Sequence, residues 1–306
     1  MTNTHIPVLL YEVIESFSIF KKRSDLVYYD GTFGRGGHAK AICEAYSIKQ
    51  ILATDQDQLA ISFALENFPH IQISNSNFSD FAIQNQNQRL NIDMILLDLG
   101  VSSPQLDQAE RGFSFNKDGP LDMRMNQKLK MTAGQIVNTI SEDELMKLFS
   151  NYGEVENPYK VVKAIIKDRS VKEFTSTLQL AGLIERVDGW RKKGFHPATQ
   201  YFMALRLAVN SELEVVEKAI PLLINMMNDG GRISIITFHS LEDRIVKNIF
   251  KDCELGFVIN KKVIVPSEEE CKINPRARSA KLRIFQKGKE PLKIDKFAAR
   301  RALMQK

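Results

Sequence analysis

Residues 26–38 read LVYYDGTFGRGGH: a short apolar and aromatic run that stops at an acid, Asp30, and opens into four glycines. Residues 39–46 then carry a helix-forming composition. A strand, a glycine turn and a helix in that order make a phosphate- or nucleotide-type cradle, because glycine lets backbone approach a ligand and the helix start leaves amides free to donate. Residues 34–39 also satisfy G-x-G-x-x-A, and Asp55 stands 21 positions after Gly34. That is where a dinucleotide fold keeps its ribose-binding acid. An NAD oxidoreductase is therefore one reading and a plain tight turn another. Asp30 weighs against a pyrophosphate, since like charges 4 Å apart repel by about 1 to 4 kcal/mol near a surface. The same acid favours a cationic sulfonium, and S-adenosylmethionine has that polarity.

Working outward, similar runs recur at residues 50–53, 71–74 and 94–97, separated by helix-length segments. The alternation predicts an α/β fold with a parallel sheet and sites at the carboxyl ends of its strands. Asp30 and Gly34 then line the cofactor crevice, Asp55 accepts from the ribose hydroxyls, and Phe78 either lies against an adenine or packs in the core. The next strand, residues 232–238 after the turn Asn228-Asp229-Gly230-Gly231, begins 134 residues beyond Asp98. One crossover needs only a dozen or more residues, so most of the interval is an inserted unit. It reads as helical, with segments at 141–153, 157–170 and 175–189 carrying apolar residues at three- and four-residue spacing. Ser141 and Thr175 are the expected N-caps, with Pro158 in a first turn and Gly153 and Gly189 at the stops. Residues 198–227 return to one long amphipathic helical pattern. Residues 257–265 and 281–285 finish the sheet as an antiparallel pair, and the segment 266–280 between them is the expected mobile linker.

Composition bounds the function classes. The chain has 306 residues, 43% hydrophobic and 26% charged, an ordinary globular balance with about two domains expected. No apolar run is long enough to span a bilayer and the start lacks a secretory pattern, so a cytoplasmic location without membrane contact is expected. Cys43, Cys253 and Cys271 are too few and scattered for a disulfide framework or zinc site, and five separated histidines make no metal centre. The net charge of +5 is unevenly spread. Residues 271–306 hold 12 Lys and Arg against two acids, whereas the first 270 hold 30 against 35. Such a basic end either tracks the phosphates of a nucleic acid or is a solvated terminus.

The fourth strand ends Leu97-Asp98-Leu99-Gly100-Val101-Ser102-Ser103-Pro104-Gln105. An acid followed by Ser-Pro at this strand end loosely corresponds to the loop with which amino-directed methyltransferases hold their acceptor. The exocyclic amine of a nucleobase is a poor nucleophile until acceptors align it with the methyl group, and alignment supplies on the order of 7 to 11 kcal/mol. Asp98, or Ser102 and Ser103, are the expected catalytic acceptors.

Beyond these elements the chain resembles the bacterial 16S ribosomal RNA cytosine-N4 methyltransferases. The likeness runs through His5-Ile6-Pro7-Val8-Leu9-Leu10, residues 30–38, residues 96–107, Glu110-Arg111-Gly112-Phe113-Ser114-Phe115 and residues 119–125. It continues in His196-Pro197-Ala198-Thr199, residues 209–213, residues 238–244 and residues 274–279. The resemblance implies a seven-stranded class I, Rossmann-like methyltransferase sheet with an inserted all-helical domain. The expected division is 1–107 with 206–306 for the methyltransferase and 108–205 for RNA recognition. It also implies cofactor contacts from Gly36, Gly37, His38, Asp55, Phe78, Asp98 and Gln105. The implied substrate is a cytidine in the decoding region of the small subunit, methylated at N4. Two positions depart from the family pattern: Val155-Glu156 after Tyr-Gly-Glu, and Gln200 after His-Pro-Ala-Thr.

Arg111, Arg124, His196, His239, Arg276 and Arg278 are the candidate RNA contacts. For the first two the alternative is a structural Asp–Arg pair, and for the histidines a structural hydrogen bond. Ser240-x-x-Asp243 reads first as a helix cap. Trp190, beside Arg191-Lys192-Lys193, stacks on a base or ends a helix. A catalytically silent RNA-binding assembly factor is the rival from another class, and a homodimer is left open.

Overall fold

The computed structural model describes residues 6–190 and 196–290. His5, the Arg191-Lys192-Lys193 run and the basic stretch from residue 291 lie outside the described residues. The first half alternates as the sequence predicts: α1 (Leu10–Ser16), β1 (Leu26–Asp30), α2 (Gly37–Ala45), β2 (Ile48–Asp55), α3 (Gln58–Asn67), β3 (Ile71–Asn75), α4 (Phe78–Asn85), β4 (Ile92–Asp98) and the short α5 (Ser103–Asp107). Helices α6 (Ala133–Thr139), α7 (Glu142–Asn151), α8 (Tyr159–Arg169), α9 (Thr177–Asp188), α10 (Ala198–Asn210) and α11 (Glu212–Met226) follow. The chain then completes β5 (Met227–Thr237), α12 (Ser240–Asp252), β6 (Gly256–Val258), α13 (Glu268–Ile273) and β7 (Lys281–Lys287).

Seven strands form one sheet in the order β3-β2-β1-β4-β5-β7-β6. The first five are parallel, whereas β7 runs antiparallel to both β5 and β6. This is the α/β, class I arrangement. Side chains alternate between faces, as the two-residue period of a strand requires. Tyr28, Met94, Leu96 and Leu282 share one apolar cluster with α1 and α2, while Tyr29, Ile95, Leu97 and Phe285 share the other with α4, α11 and α12. Strand β4, buried along almost its whole length, reads as a continuous apolar run for that reason. Between β1 and β4 the order of connection reverses, which opens a crevice at their carboxyl ends. Asp30 and Asp98 are the residues that end those strands.

A third cluster runs from Phe113 to Val209. The expected boundary between 205 and 206 falls inside α10, whose Ala198, Tyr201, Phe202, Ala204 and Leu205 all pack into this cluster.

Several local expectations need correction. The Asn228–Gly231 turn lies within β5 as an irregularity: the pairing with β4 jumps from Ile92–Met227 to Met94–Arg232, and Gly230 takes φ +83° there. The long pattern at 198–227 is two helices, broken where Ser211 adopts φ 48°. Ser176, not Thr175, caps α9, its side chain accepting from Gln179 N. At α12 the cap is His239, one residue before the Ser240 expected. Of the run 257–265 only the start joins β6, with Ile264 bridging to Leu282. The segment 266–280, expected to be mobile, is α13 and a 3₁₀ turn over Pro275–Ser279. Two bonds to the chain's beginning anchor it: Leu9 N donates to Glu270 Oε1 at 2.7 Å, and Asn274 Nδ2 to Ile6 O at 3.4 Å.

Candidate cofactor site

The glycine turn is shaped by contact as well as by backbone freedom. Gly36 has φ +66°, and a Cβ there would sit 2.6 Å from the rings of Phe33 and Phe68. At Gly31 a Cβ would lie 2.3 Å from Leu97 Cδ2, so β1 and β4 leave their strand ends with no room for a side chain. The turn is also stitched to its neighbours. Thr32 N donates to Asp30 Oδ1 at 3.1 Å, Gly34 N to Asp55 Oδ2 at 2.7 Å, and Asp98 N to Thr32 Oγ1 at 2.7 Å. Three strand-end acids are thereby gathered around one turn.

Burial governs their chemistry. Asp30 and Asp55 are each pushed up to about 6 by desolvation, although backbone donors, and for Asp30 the Tyr28 hydroxyl at 2.8 Å, pull the other way. Asp98 goes further, to about 8: desolvation leads, followed by the charges of Asp30 and Glu242. Its Oδ1 is buried and has no hydrogen-bond partner among the described residues, while Oδ2 lies 3.7 Å from His38 Nδ1. An acceptor left bare in a crevice costs about 1–3 kcal/mol, so it marks a place for a donor from outside the chain. His38 Nε2 lies 2.9 Å from Val8 O, and because a carbonyl only accepts, that nitrogen carries a proton.

Other expected contacts are placed as follows. Phe78 opens α4 and belongs to the apolar cluster beneath the sheet. Gln105 is buried, its Oε1 accepting from Ser102 N at 3.0 Å and its Nε2 donating to Asp57 Oδ2 at 2.9 Å. Ser102 caps α5 and Ser103 begins it, at the crevice rim and half-buried. A cavity of about 10 Å³ between Gly34, Asp57, Ser102 and Pro104 joins the glycine turn to this loop. Sulfonium and amino groups suit such a ring of acids with one bare oxygen, and the geometry therefore fits S-adenosylmethionine.

The candidate RNA contacts separate. Arg111 points inward and takes the alternative, a structural Asp–Arg pair: it is 7% exposed, Nη1 donates to Asp57 Oδ2 at 2.7 Å, and Nη2 donates to the carbonyls of Arg124 and Met125. Arg124 makes the structural pair, with Nε and Nη2 on Asp122 and Nη1 on the carbonyls of Gln127 and Leu129. His196 stacks on Phe115 with ring centroids 4.7 Å apart, and its Nδ1 accepts from Ala198 N. His239 caps α12 through Nδ1, with Nε2 3.0 Å from Glu242 Oε1 but off the line of a hydrogen bond. Arg276 and Arg278 are exposed on the 3₁₀ turn, and Arg276 reaches Asp107 at 2.7 Å. That contact brings the basic turn beside the end of α5. Trp190 is exposed, donating to Glu185 Oε1 at 2.6 Å.

Sequence reasoning missed Asp57 and Glu242. Asp57 stands two residues after Asp55 before an apolar helical run, an N-cap signal open to reading. Glu242 is hidden because Arg206, whose charge acts on it, stands far away in sequence, although His239 lies only three residues before it.

Residues 2–288 match the model of the MraW methylase family. The chain is 58% identical over 290 residues to the ribosomal RNA small subunit methyltransferase H of Bdellovibrio bacteriovorus, covering 92% of this chain and 88% of that protein. Against the protein of the same name from Cyanothece sp. the identity is 44%, covering 92% and 94%. Among solved structures, an rRNA methylase from Streptococcus thermophilus aligns with a TM-score of 0.45 at 9% identity, over 94% of this chain and all of that one.

Proposed function

The chain belongs to the MraW methylase family, a family of S-adenosylmethionine-dependent methyltransferases, and from that premise we propose that it methylates N4 of a cytidine in the decoding region of 16S ribosomal RNA. The NAD oxidoreductase reading falls with that membership. One observation carries the proposal: a buried carboxylate oxygen, Asp98 Oδ1, stands bare at the switch point of the sheet beside the glycine turn.

When bound, the donor supplies an electrophilic methyl group on a positively charged sulfur. The chain's own part is positional and electrostatic. Asp30 and Asp98 set carboxyls at the strand ends that a bound cation would draw into their ionised forms, Asp55 would keep lone pairs for ribose hydroxyls, and the turn from Gly34 to His38 would hold the cofactor. Asp98, with the Ser102–Ser103 rim, accepts from the target amine and aims its nitrogen lone pair. A stacked cytosine cannot reach that depth, so the base leaves its stack to enter.

Residues 108–205 are proposed to recognise the RNA, with Arg276 and Arg278 on its phosphates. The proposed partner is the small ribosomal subunit and the proposed location the cytoplasm. Among the described residues no helix is long and apolar enough to cross a membrane. A homodimer is a further proposal, tested by sedimentation of the purified chain.

Mass spectrometry of ribosomal RNA nucleosides from cells lacking the protein tests the reaction and substrate together. Loss of N4-methylated cytidine is expected, and an unchanged level overturns the reading. Asp98→Ala separates enzyme from silent assembly factor: methyl transfer falls roughly 100-fold or more with the protein still on the subunit. Wild-type complementation of the methylation defect by this variant rejects the role given to Asp98.

A further inference from the structure

A buried polar network joins the cofactor turn to the base of the insert, and the reaction as proposed makes no use of it. Asp57 caps α3 through Oδ1, and its N–H donates to Asp55 Oδ1 at 2.8 Å. Its Oδ2 receives Arg111 at 2.7 Å and Gln105 at 2.9 Å. Arg111 carries the link onward by holding the carbonyls of Arg124 and Met125, each at 3.1 Å. Met125 is tied twice more: its sulfur accepts from Gln56 Nε2 at 3.0 Å, and its N–H donates to Asn210 Oδ1 at 2.8 Å. The segment holding Arg111 has no slack. Gly112 has φ +72° with a virtual Cβ 2.0 Å from Pro120 O, and at Gly119 a Cβ would lie 1.8 Å from Ala109 O. Close-packed backbone of this kind passes a displacement on rather than absorbing it.

Both members of the Arg111–Asp57 pair are about one-tenth exposed. Pairs so buried repay their desolvation poorly as stabilisers, and their best-attested use is to fix one arrangement of parts. We propose that Arg111 is a positioning residue that couples the two ligands: by clamping the 55–57 turn to residues 122–125, it makes cofactor and RNA each bind better when the other is present. The inference rests on the function proposed above. Reciprocity is then required, because a coupling free energy acts equally on both ligands.

Arg111→Lys and Gln56→Ala test it. Lysine retains a charge for Asp57 but lacks the planar fork that reaches two carbonyls at once. Gln56 is half-buried, so its removal cuts a second tie between the same segments without leaving a buried charge. The readout is S-adenosylhomocysteine affinity by titration calorimetry, alone and with small subunits from cells lacking the protein. In the wild type the subunits tighten binding by about fivefold or more. In Arg111→Lys the affinity alone stays within about twofold and the tightening drops below about twofold. Gln56→Ala moves the same way by less, and it carries the test if the lysine variant does not fold. Full tightening in the variants, or none in a wild type that does methylate subunits, overturns the coupling. A wild type that binds no cofactor or methylates no subunit overturns the functional reading itself.

Discussion

Asp98 concentrates the electrostatics of the crevice in one side chain. Its carboxyl titrates near 8, and those of Asp30 and Asp55 near 6, because burial disfavours their charged forms. A cationic ligand prefers the ionised forms, so its affinity rises with pH as these groups lose protons. S-adenosylmethionine should therefore gain affinity between about pH 6 and pH 8, and S-adenosylhomocysteine, neutral at sulfur, should gain less. Calorimetry of both ligands across that range checks it, and parallel slopes would dismiss the charge argument. The same group acts on folding. Its folded pKa lies above the unfolded value of about 3.9, so its stabilisation is complete below that value and is lost as pH rises through about 8. Asp98→Asn should flatten the decline of melting temperature over this window, and an undiminished decline would show that the carboxyl titrates normally.

Whole elements respond to backbone geometry more than to single bonds. Gly112→Ala places a Cβ against Pro120 O and forces a side chain into φ +72°, with strain of about 1–3 kcal/mol before any clash is counted. Ser141→Ala removes only the cap of α7, which accepts from Glu144 N, and costs about 1 kcal/mol. Urea midpoints with unchanged m-values should rank the glycine variant as the less stable, and the reverse order would place the strain elsewhere. This contrast marks what a sequence displays. Asp30, Asp55 and Asp98 were readable as strand ends because each closes a strand whose apolar run is local, and the 134-residue gap showed by simple length that more than one crossover helix lies between β4 and β5. Ser141 and Gly189 were readable as local punctuation. An Asp partner for Arg111 was open to reading but its identity, Asp57, was not, since it stands 54 positions away and a buried ion pair leaves no periodicity behind. The 266–280 segment looked mobile for a related reason: polar and proline-rich, it is held by bonds spanning 261 and 268 positions.

Across the whole molecule, charge and connection set how it meets a large polyanion. Arg276 pairs with Asp107 at the surface, where such a bridge contributes at most about 1 kcal/mol, so surrendering it to a phosphate costs little. An Arg276/Arg278 double alanine variant should bind small-subunit RNA with a salt slope shallower by up to about 1.4, from roughly 0.7 per phosphate contact. A slope equal to the wild type's would remove this turn from the RNA path. A clasp also ties the turn after α7 to α12: Glu154 accepts from Ser240 Oγ and from Arg244 at the start of that helix. Finally, Leu9 and Glu270 share a bond, and Leu26 and Tyr28 share their cluster with Leu282 and Ile284. At roughly 5–20 residues per second of translation, on the order of 13–50 s separate the two ends of that bond as they leave the ribosome. The nascent polypeptide thus emerges with an oily face that it cannot cover until Leu282 and Ile284 have been made.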